Sequence, residues 1–167
     1  MSVADEVRIG QGIDVHPFGQ GGHRRLRICG VEIPGERGLD GHSDGDVGCH
    51  AVADALLGAA ALGDLGSRFG VDRPETAGAD SVTLLAAVAA DVVAAGYALV
   101  NLDVTVIAQR PRLAAHREAM RTAVAKACHL DVGAVSVKFT TTDHLGAIGR
   151  GEGIGALATC LLRAARR

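Results

Sequence analysis

The chain has no tryptophan, one tyrosine (Tyr97) and three phenylalanines. A surface that reads nucleic acid by stacking bases on aromatic rings has almost no material here. A basic excess is also missing: 17 Lys and Arg stand against 19 Asp and Glu, a formal charge of −2. Without a cationic footprint, nucleic acid is not an expected partner. Long apolar runs are lacking too. The richest window, Leu84 to Val100, is interrupted by Asp91 and contains Gly96, so it reads as a buried helix and a turn rather than a membrane span. The four cysteines (Cys29, Cys49, Cys128, Cys160) form no C-x-x-C pair, which points to reduced, buried thiols in a cytoplasmic protein. The N-terminus carries Asp5 and Glu6 without an apolar h-region, so no secretory signal is expected. Neither Gly10-Gln11-Gly12 nor Gly149 to Gly153 makes G-x-G-x-x-G, and Walker A and G-x-S-x-G sequences are absent. Those absences argue against a dinucleotide fold, a P-loop and an α/β-hydrolase serine nucleophile.

What is present is a 167-residue chain with 48% hydrophobic residues, mostly Ala, Val and Leu, enough for one domain over 1–167 with a core that needs no disulfide. Val7, Ile9, Ile13 and Val15 alternate with polar residues and glycine, the period of a half-buried strand. Leu26 to Ile33 reads as a small hairpin ending at Pro34. After a Gly/Asp-rich loop, a helix is expected from about Asp46 to Leu62, with Ser43 and Asp46 at capping-box spacing and Asp44 as a competing cap. A second helix starts near Asp80-Ser81 and stops before Gly96. Leu102, Val104 and Val106 mark another strand; Pro111 is placed to open a third helix running to about Cys128. Val135, Val137 and Phe139 mark a further strand. The segment from Gly153 to Arg167 fits both helix and period two. No repeat or linker divides the chain, and the fold class is α/β.

Chemistry concentrates in Asp14-Val15-His16 and His42 to His50. Residues two apart on a strand share a face, so Asp14 and His16 present a carboxylate beside an imidazole. His50, one turn into the first helix, can add a third ligand. Two imidazoles and one carboxylate suit Zn²⁺ with an open position. Asp46, His50 and Asp54 form one polar stripe on a helix that is otherwise apolar nearly all round, and a polar stripe on a buried helix needs partners. A solvent face or a hydrogen-bonded core histidine is the blander alternative. His42-Ser43 lie at the helix start, where backbone N–H groups attract anions, although N-capping by Ser43 would itself suffice. Thr140-Thr141-Thr142-Asp143 end a strand with hydroxyls for phosphate and a carboxylate for a hard cation, or simply with a β-prone run closing into a turn. Ala108 to Leu113 form a strand-to-helix loop of the kind that lines ligand sites.

Four segments, RIGQGIDVHPF, GLDGHSDGDVGCHAVADALLGAAALGDLG, DVTVIAQRPRL and TTTDHLGAIGRGEGI, occur in order from Arg8 to Ile154. Together the chain resembles the 2-C-methyl-D-erythritol 2,4-cyclodiphosphate synthases of non-mevalonate isoprenoid biosynthesis. The resemblance implies an α+β protomer with a mainly four-stranded mixed sheet packed on helices plus a small β-hairpin, a homotrimer with active sites between subunits, and a strand over Ile154 to Leu162. The implied lyase reaction converts 4-diphosphocytidyl-2-C-methyl-D-erythritol 2-phosphate to the cyclic diphosphate and CMP.

By the same resemblance, Asp14, His16 and His50 bind Zn²⁺, and Asp143 holds Mg²⁺ or Mn²⁺ at the diphosphate. His42 and Thr141 match transition-state stabilisers, and Ser43 is expected to touch phosphate. Asp54, Asp64 and Gly66 match positions that hold the erythritol part, and Asp14, His16, Leu65, Phe69 and Thr142 are carried over as substrate-binding residues. Ala108, Gln109, Arg110, Pro111, Arg112 and Leu113, with Thr140 and Thr141, match the cytidine diphosphate pocket. Arg150 matches a phosphate-binding or trimer-axis residue, with an ion pair to Glu152 as the alternative. The chain departs from the family at Asp143, where Glu is usual, at Arg112 for a common Lys, and at Ala147, where an aromatic residue is frequent. Phe69-Gly70-Val71-Asp72 also replaces the familiar F-P-D-T-D run. A metal-dependent phosphohydrolase and a non-catalytic binding protein are the competing functions. Intact Asp14, His16, His42, His50 and Thr141 weigh against the latter.

Overall fold

The computed structural model describes residues 6–20, 24–70 and 78–165. Its main sheet has four strands in the order β1 (Val7–Pro17), β6 (Gly153–Ala164), β4 (Tyr97–Ile107), β5 (Val135–Thr140). β6 runs antiparallel to both β1 and β4, whereas β4 and β5 are parallel. The hairpin β2 (Arg25–Ile28) and β3 (Val31–Arg37) forms a separate two-stranded sheet. Against the main sheet pack α1 (Val47–Ala59), α3 (Ser81–Ala94) and α4 (Arg117–Ala127). Two short helices, α2 (Leu65–Phe69) and α5 (Gly146–Gly149), are additions that periodicity could not register at such lengths.

The alternation in β1 is present, but its faces are the reverse of the usual assignment. Val7, Ile9, Ile13 and Val15 are 57–74% exposed. Gly10 and Gly12 instead face α1, and a Cβ on them would stand 1.9 Å from the Ala55 carbonyl oxygen and 2.0 Å from that of Ala51. Helix and strand therefore approach more closely than any side chain at those positions permits. Asp14 and His16 share the glycines' face, so the close approach carries them to His50 on α1.

Elsewhere, local sequence and structure agree with small corrections. β3 continues past Pro34 to Arg37, because an edge position in a two-stranded sheet tolerates the missing N–H. α1 is capped by Asp46, which accepts from the Cys49 N–H, rather than by Ser43 or Asp44. α3 ends at Ala94, followed by Gly96 at φ 89°. Pro111 does not open a helix. It follows a cis bond from Arg110, and α4 begins only at Arg117 after a 3₁₀ turn over Ala114–His116. Those intervening residues line a cavity instead. The C-terminal segment is strand, as the family resemblance implies. All four cysteines are buried and free, and burial pushes the Cys128 thiol up to about 12. Among the described residues, no helix is long and apolar enough to cross a membrane.

Candidate active site

The strand end of β1, the start of α1 and the loop before it enclose a cavity of about 440 Å³. Asp14, His16, His42, Ser43, His50 and Asp54 line its polar side. Leu65, Gly66, Phe69, Gly70 and Leu84 close the rest. Of these, Gly70 and Leu84 carry no chemical signal that sequence reading could have used.

Asp14 sits between the two imidazoles. Its Oδ2 lies 3.0 Å from His16 Nε2 and 2.8 Å from His50 Nδ1. Burial opposes ionisation of Asp14, but hydrogen bonds with His16 and His50 prevail and hold its carboxyl well below the ordinary range. The hydrogen bond to Asp14 correspondingly raises the His16 pKa against the opposing effect of burial. His16 Nδ1 meets the Asp40 carbonyl, an acceptor only, so that nitrogen carries a proton and Nε2 is left as the ligand atom.

One ligand atom from each of Asp14, His16 and His50 lies within 4.8 Å of the others. Two neutral imidazole nitrogens and a carboxylate at this separation fit a divalent cation of the zinc type, leaving a position open for substrate. A carboxylate is also a fitting partner for positive charge in this half-buried setting, whether metal or proton. Arg24 donates from one Nη1 to the carbonyls of Gly41 and Ser43, both at 2.7 Å, and so clamps the loop that carries His42.

The polar stripe of α1 divides on inspection. Asp46 is fully buried and accepts from the N–H groups of Cys29 (2.7 Å), Gly30 (2.6 Å) and Cys49 (3.0 Å). It ties the hairpin turn to the helix start and, fully buried, does not line the cavity. Asp54 borders the cavity, accepts from the Leu65 N–H at 2.8 Å, and has a pKa raised mainly by burial.

A second cavity, about 420 Å³, opens at the carboxyl ends of the parallel pair β4 and β5. Ligands commonly bind outside such strand ends. Ala108, Gln109, Pro111, Arg112 and Leu113 line it with Thr140 and Thr141. Arg110 of the same loop lines it too, and Ala114, Phe139 and His144 join them without having been singled out as site residues from sequence. The Ala108 N–H donates to the Thr140 carbonyl at 3.0 Å and pins the two strand ends together. Beside this cavity, Thr141 Oγ1 donates to Asp143 Oδ1 at 3.2 Å.

Four of the remaining candidates line neither cavity. Asp64 caps α2 through the Ser67 N–H at 2.7 Å, and Thr142 donates to the Leu145 carbonyl at 2.7 Å. Arg150 pairs with Glu152 at 2.6 Å. Asp143 stands apart from the Asp14/His16/His50 cluster. Val71 and Asp72, where the chain departs from the family, lie outside the described residues.

A single α/β domain in which a carboxylate and two imidazoles converge on a cavity defines a class: an enzyme fold with a candidate metal site. Comparison with known proteins sharpens this. The chain belongs to the YgbB family, whose sequence profile matches residues 7–163. It is 56% identical over 156 residues to the 2-C-methyl-D-erythritol 2,4-cyclodiphosphate synthase of Chromohalobacter salexigens, covering 93% of this chain and 95% of that one. It is also 56% identical to the enzyme of the same name from Chromobacterium violaceum, over 93% and 97% of the two chains. Among solved structures, the Plasmodium falciparum IspF CDP complex superimposes with a TM-score of 0.84 at 30% identity, over 97% and 99% of the chains. The bifunctional IspDF of Campylobacter jejuni gives a TM-score of 0.91 at 41% identity; 96% of this chain spans 43% of that protein.

Proposed function

We propose that this chain is a 2-C-methyl-D-erythritol 2,4-cyclodiphosphate synthase, working as a homotrimer with active sites between subunits. The observation that carries the reading is the convergence of Asp14, His16 and His50 in a cavity bordered by His42 and Ser43. Relatives of that name at 52–56% identity support it.

The reaction is an intramolecular displacement. An oxygen of the 2-phosphate attacks the β-phosphorus, the bond from that phosphorus to the bridging oxygen breaks, and CMP departs with the electron pair. Both reacting groups are anionic, so orientation and charge neutralisation govern the rate. Asp14, His16 and His50 would hold Zn²⁺, and Asp143 would anchor Mg²⁺ or Mn²⁺. Bound there, such cations neutralise and orient phosphate oxygens. Around them, His42 and Ser43 donate to the transferring phosphate oxygens from the loop before α1. Asp54 and the backbone at Leu65-Gly66 receive the erythritol hydroxyls, with Phe69 as an apolar wall and Asp64 holding that loop in shape. Residues Ala108 to Leu113 with Thr140 receive the cytidine, and Thr141 donates to the diphosphate. Thr142 fixes the turn beyond it, and Arg150 is placed as an exposed cation near the same turn.

Two observations support assembly from several subunits. The metal-type cavity and the second cavity are lined by different residues within one chain, and neither holds a complete set of groups for the reaction. The outer face of β1 also exposes Val7, Ile9, Ile13 and Val15, an apolar strip that a neighbouring subunit would cover.

The test is incubation with the diphosphocytidyl substrate and Mg²⁺, followed by ³¹P NMR. Stoichiometric CMP and cyclic diphosphate are expected. Linear phosphate products would reassign the site to a hydrolase, and no turnover by a metal-loaded oligomer would leave a binding protein.

A further inference from the structure

The imidazole of His50 is held from behind by groups that sequence spacing did not connect with it. Nε2, on the ring edge away from Asp14, lies 2.9 Å from Ser81 Oγ and 2.9 Å from Ser43 Oγ. Ser81 opens α3, is 1% exposed, and its hydroxyl donates to Asp44 Oδ1 through a short contact. Asp44 is arranged as an acceptor. Its oxygens receive the N–H groups of Asp46 and Ser81, each at 3.2 Å, and Arg27 Nε stands 4.0 Å away.

The proton count then settles the state of Nε2. A serine hydroxyl has one hydrogen, and that of Ser81 is committed to Asp44. Toward His50 the Ser81 oxygen can therefore only accept, so Nε2 must carry a hydrogen. With Nε2 bare, Ser81 would present a lone pair to a lone pair at 2.9 Å in a buried setting. With Nε2 protonated, both serine oxygens accept from it. Nδ1, 2.8 Å from the ionised Asp14 carboxylate, donates its own hydrogen there in the metal-free protein, and it is this hydrogen, not the one on Nε2, that a bound cation would replace.

We propose that Ser81 and Asp44 are positioning residues that hold a hydrogen on His50 Nε2, leaving Nδ1 as the nitrogen that exchanges its hydrogen for a cation in the metal site. This rests on the metal reading of Asp14, His16 and His50. The relay reaches the ligand from α3, an element that contributes no ligand itself. It is the counterpart of the Asp40 carbonyl behind His16, but built from side chains. Partners of this kind raise ligand basicity and fix ring orientation, and their loss typically weakens metal binding by about 10–100-fold.

The test uses the 167-residue chain, Ser81→Ala and Ser81→Thr, with two readouts. The first is the hydrogen on His50 Nε2 in metal-free protein, read as a slowly exchanging ¹H–¹⁵N ring cross-peak assigned to Nε2. The second is Zn²⁺ affinity from competition with a chromogenic chelator. The wild type is expected to show the cross-peak. Ser81→Ala is expected to lose it to exchange and to weaken Zn²⁺ by about 10–100-fold, and Ser81→Thr to restore most of both. An unchanged cross-peak in Ser81→Ala, or Zn²⁺ affinity within about twofold of wild type, overturns the relay. A wild-type chain that binds no Zn²⁺ overturns the metal reading instead, and the metal-free cross-peak still decides the relay.

Discussion

The two cavities are built by different means. The metal-type cavity is organised by the fold's interior: β1 pressed onto α1 through Gly10 and Gly12, and His50 braced by Ser43 and Ser81. The cavity at the ends of β4 and β5 depends on loops. Thr140, Thr141 and Asp143 are exposed or half-buried, and Asp143 and His144 take up φ of 49° and 65°. A ligand set needs rigid separation before it meets its ion, which packed elements supply. A pocket at strand ends can instead complete itself with substrate or a neighbouring subunit, which suits loops anchored there.

The largest expected effect separates the cavities by chemistry. His50→Ala should lose stoichiometric zinc, measured by elemental analysis, and turnover should fall by about 10²–10³-fold, the worth of several kcal/mol. Full zinc occupancy in that variant would reject the ligand set.

Gly12→Val attacks the packing that forms only the first cavity. With the Ala51 carbonyl 2.0 Å from any Cβ there, helix and strand must separate. A loss of about 1–3 kcal/mol or more is expected in chemical denaturation, with weaker zinc binding in whatever folds. Unchanged stability would mean that the contact relaxes freely.

Breaking the proposed subunit arrangement should divide the cavities functionally. Ile9→Asp with Ile13→Asp on the exposed face of β1 is expected to give monomers by light scattering. These should retain zinc, since all three ligands come from one chain, yet lose turnover by about two orders of magnitude, as expected when reacting groups are no longer positioned. A monomer with full turnover would place the whole reaction within one chain.

Smaller effects are graded. The raised His16 pKa means that protonation competes with metal over a pH range above the usual imidazole value. The bound state requires neutral His16, so zinc affinity should be full above that raised pKa and decline as pH falls through it, up to about tenfold per unit for one competing proton. Asp14, with its lowered pKa, stays ionised through that window. Affinity that is flat across it would show that His16 is not a ligand. Asp143→Asn should leave zinc untouched while raising the Mg²⁺ needed for half-maximal rate by about tenfold, the scale of one lost charged contact.

Much of the fold was legible because its signals are local. The alternation of Leu102, Val104 and Val106 and the stop at Gly96 depend on neighbours within a few residues, and the structure has β4 and the end of α3 there. The capping residue of α1 was less legible, because Ser43, Asp44 and Asp46 all have suitable chemistry. Asp46 takes the role since the same carboxylate also satisfies the amides of Cys29 and Gly30, partners 17 and 16 residues away. That assignment frees Ser43 for His50 and Asp44 for Ser81. Pro111 misled for a related reason. It has the right conformation for a helix start, but the chain first passes around the second cavity.

By itself the sequence determined which side chains are available and which of them share a face. Asp14 and His16 stand two apart on a strand, and His50 and Asp54 stand four apart on a helix. Tertiary structure alone decided what each face meets. The apolar face of β1 points outward and its glycine face inward, because only residues without a Cβ let α1 come close enough for His50 to reach Asp14. Periodicity records that a face exists, whereas its partner is chosen by steric fit between elements distant in the chain. Ser81 shows the same limit: nothing near it in sequence links it to His50, 31 residues away, until α3 packs against α1.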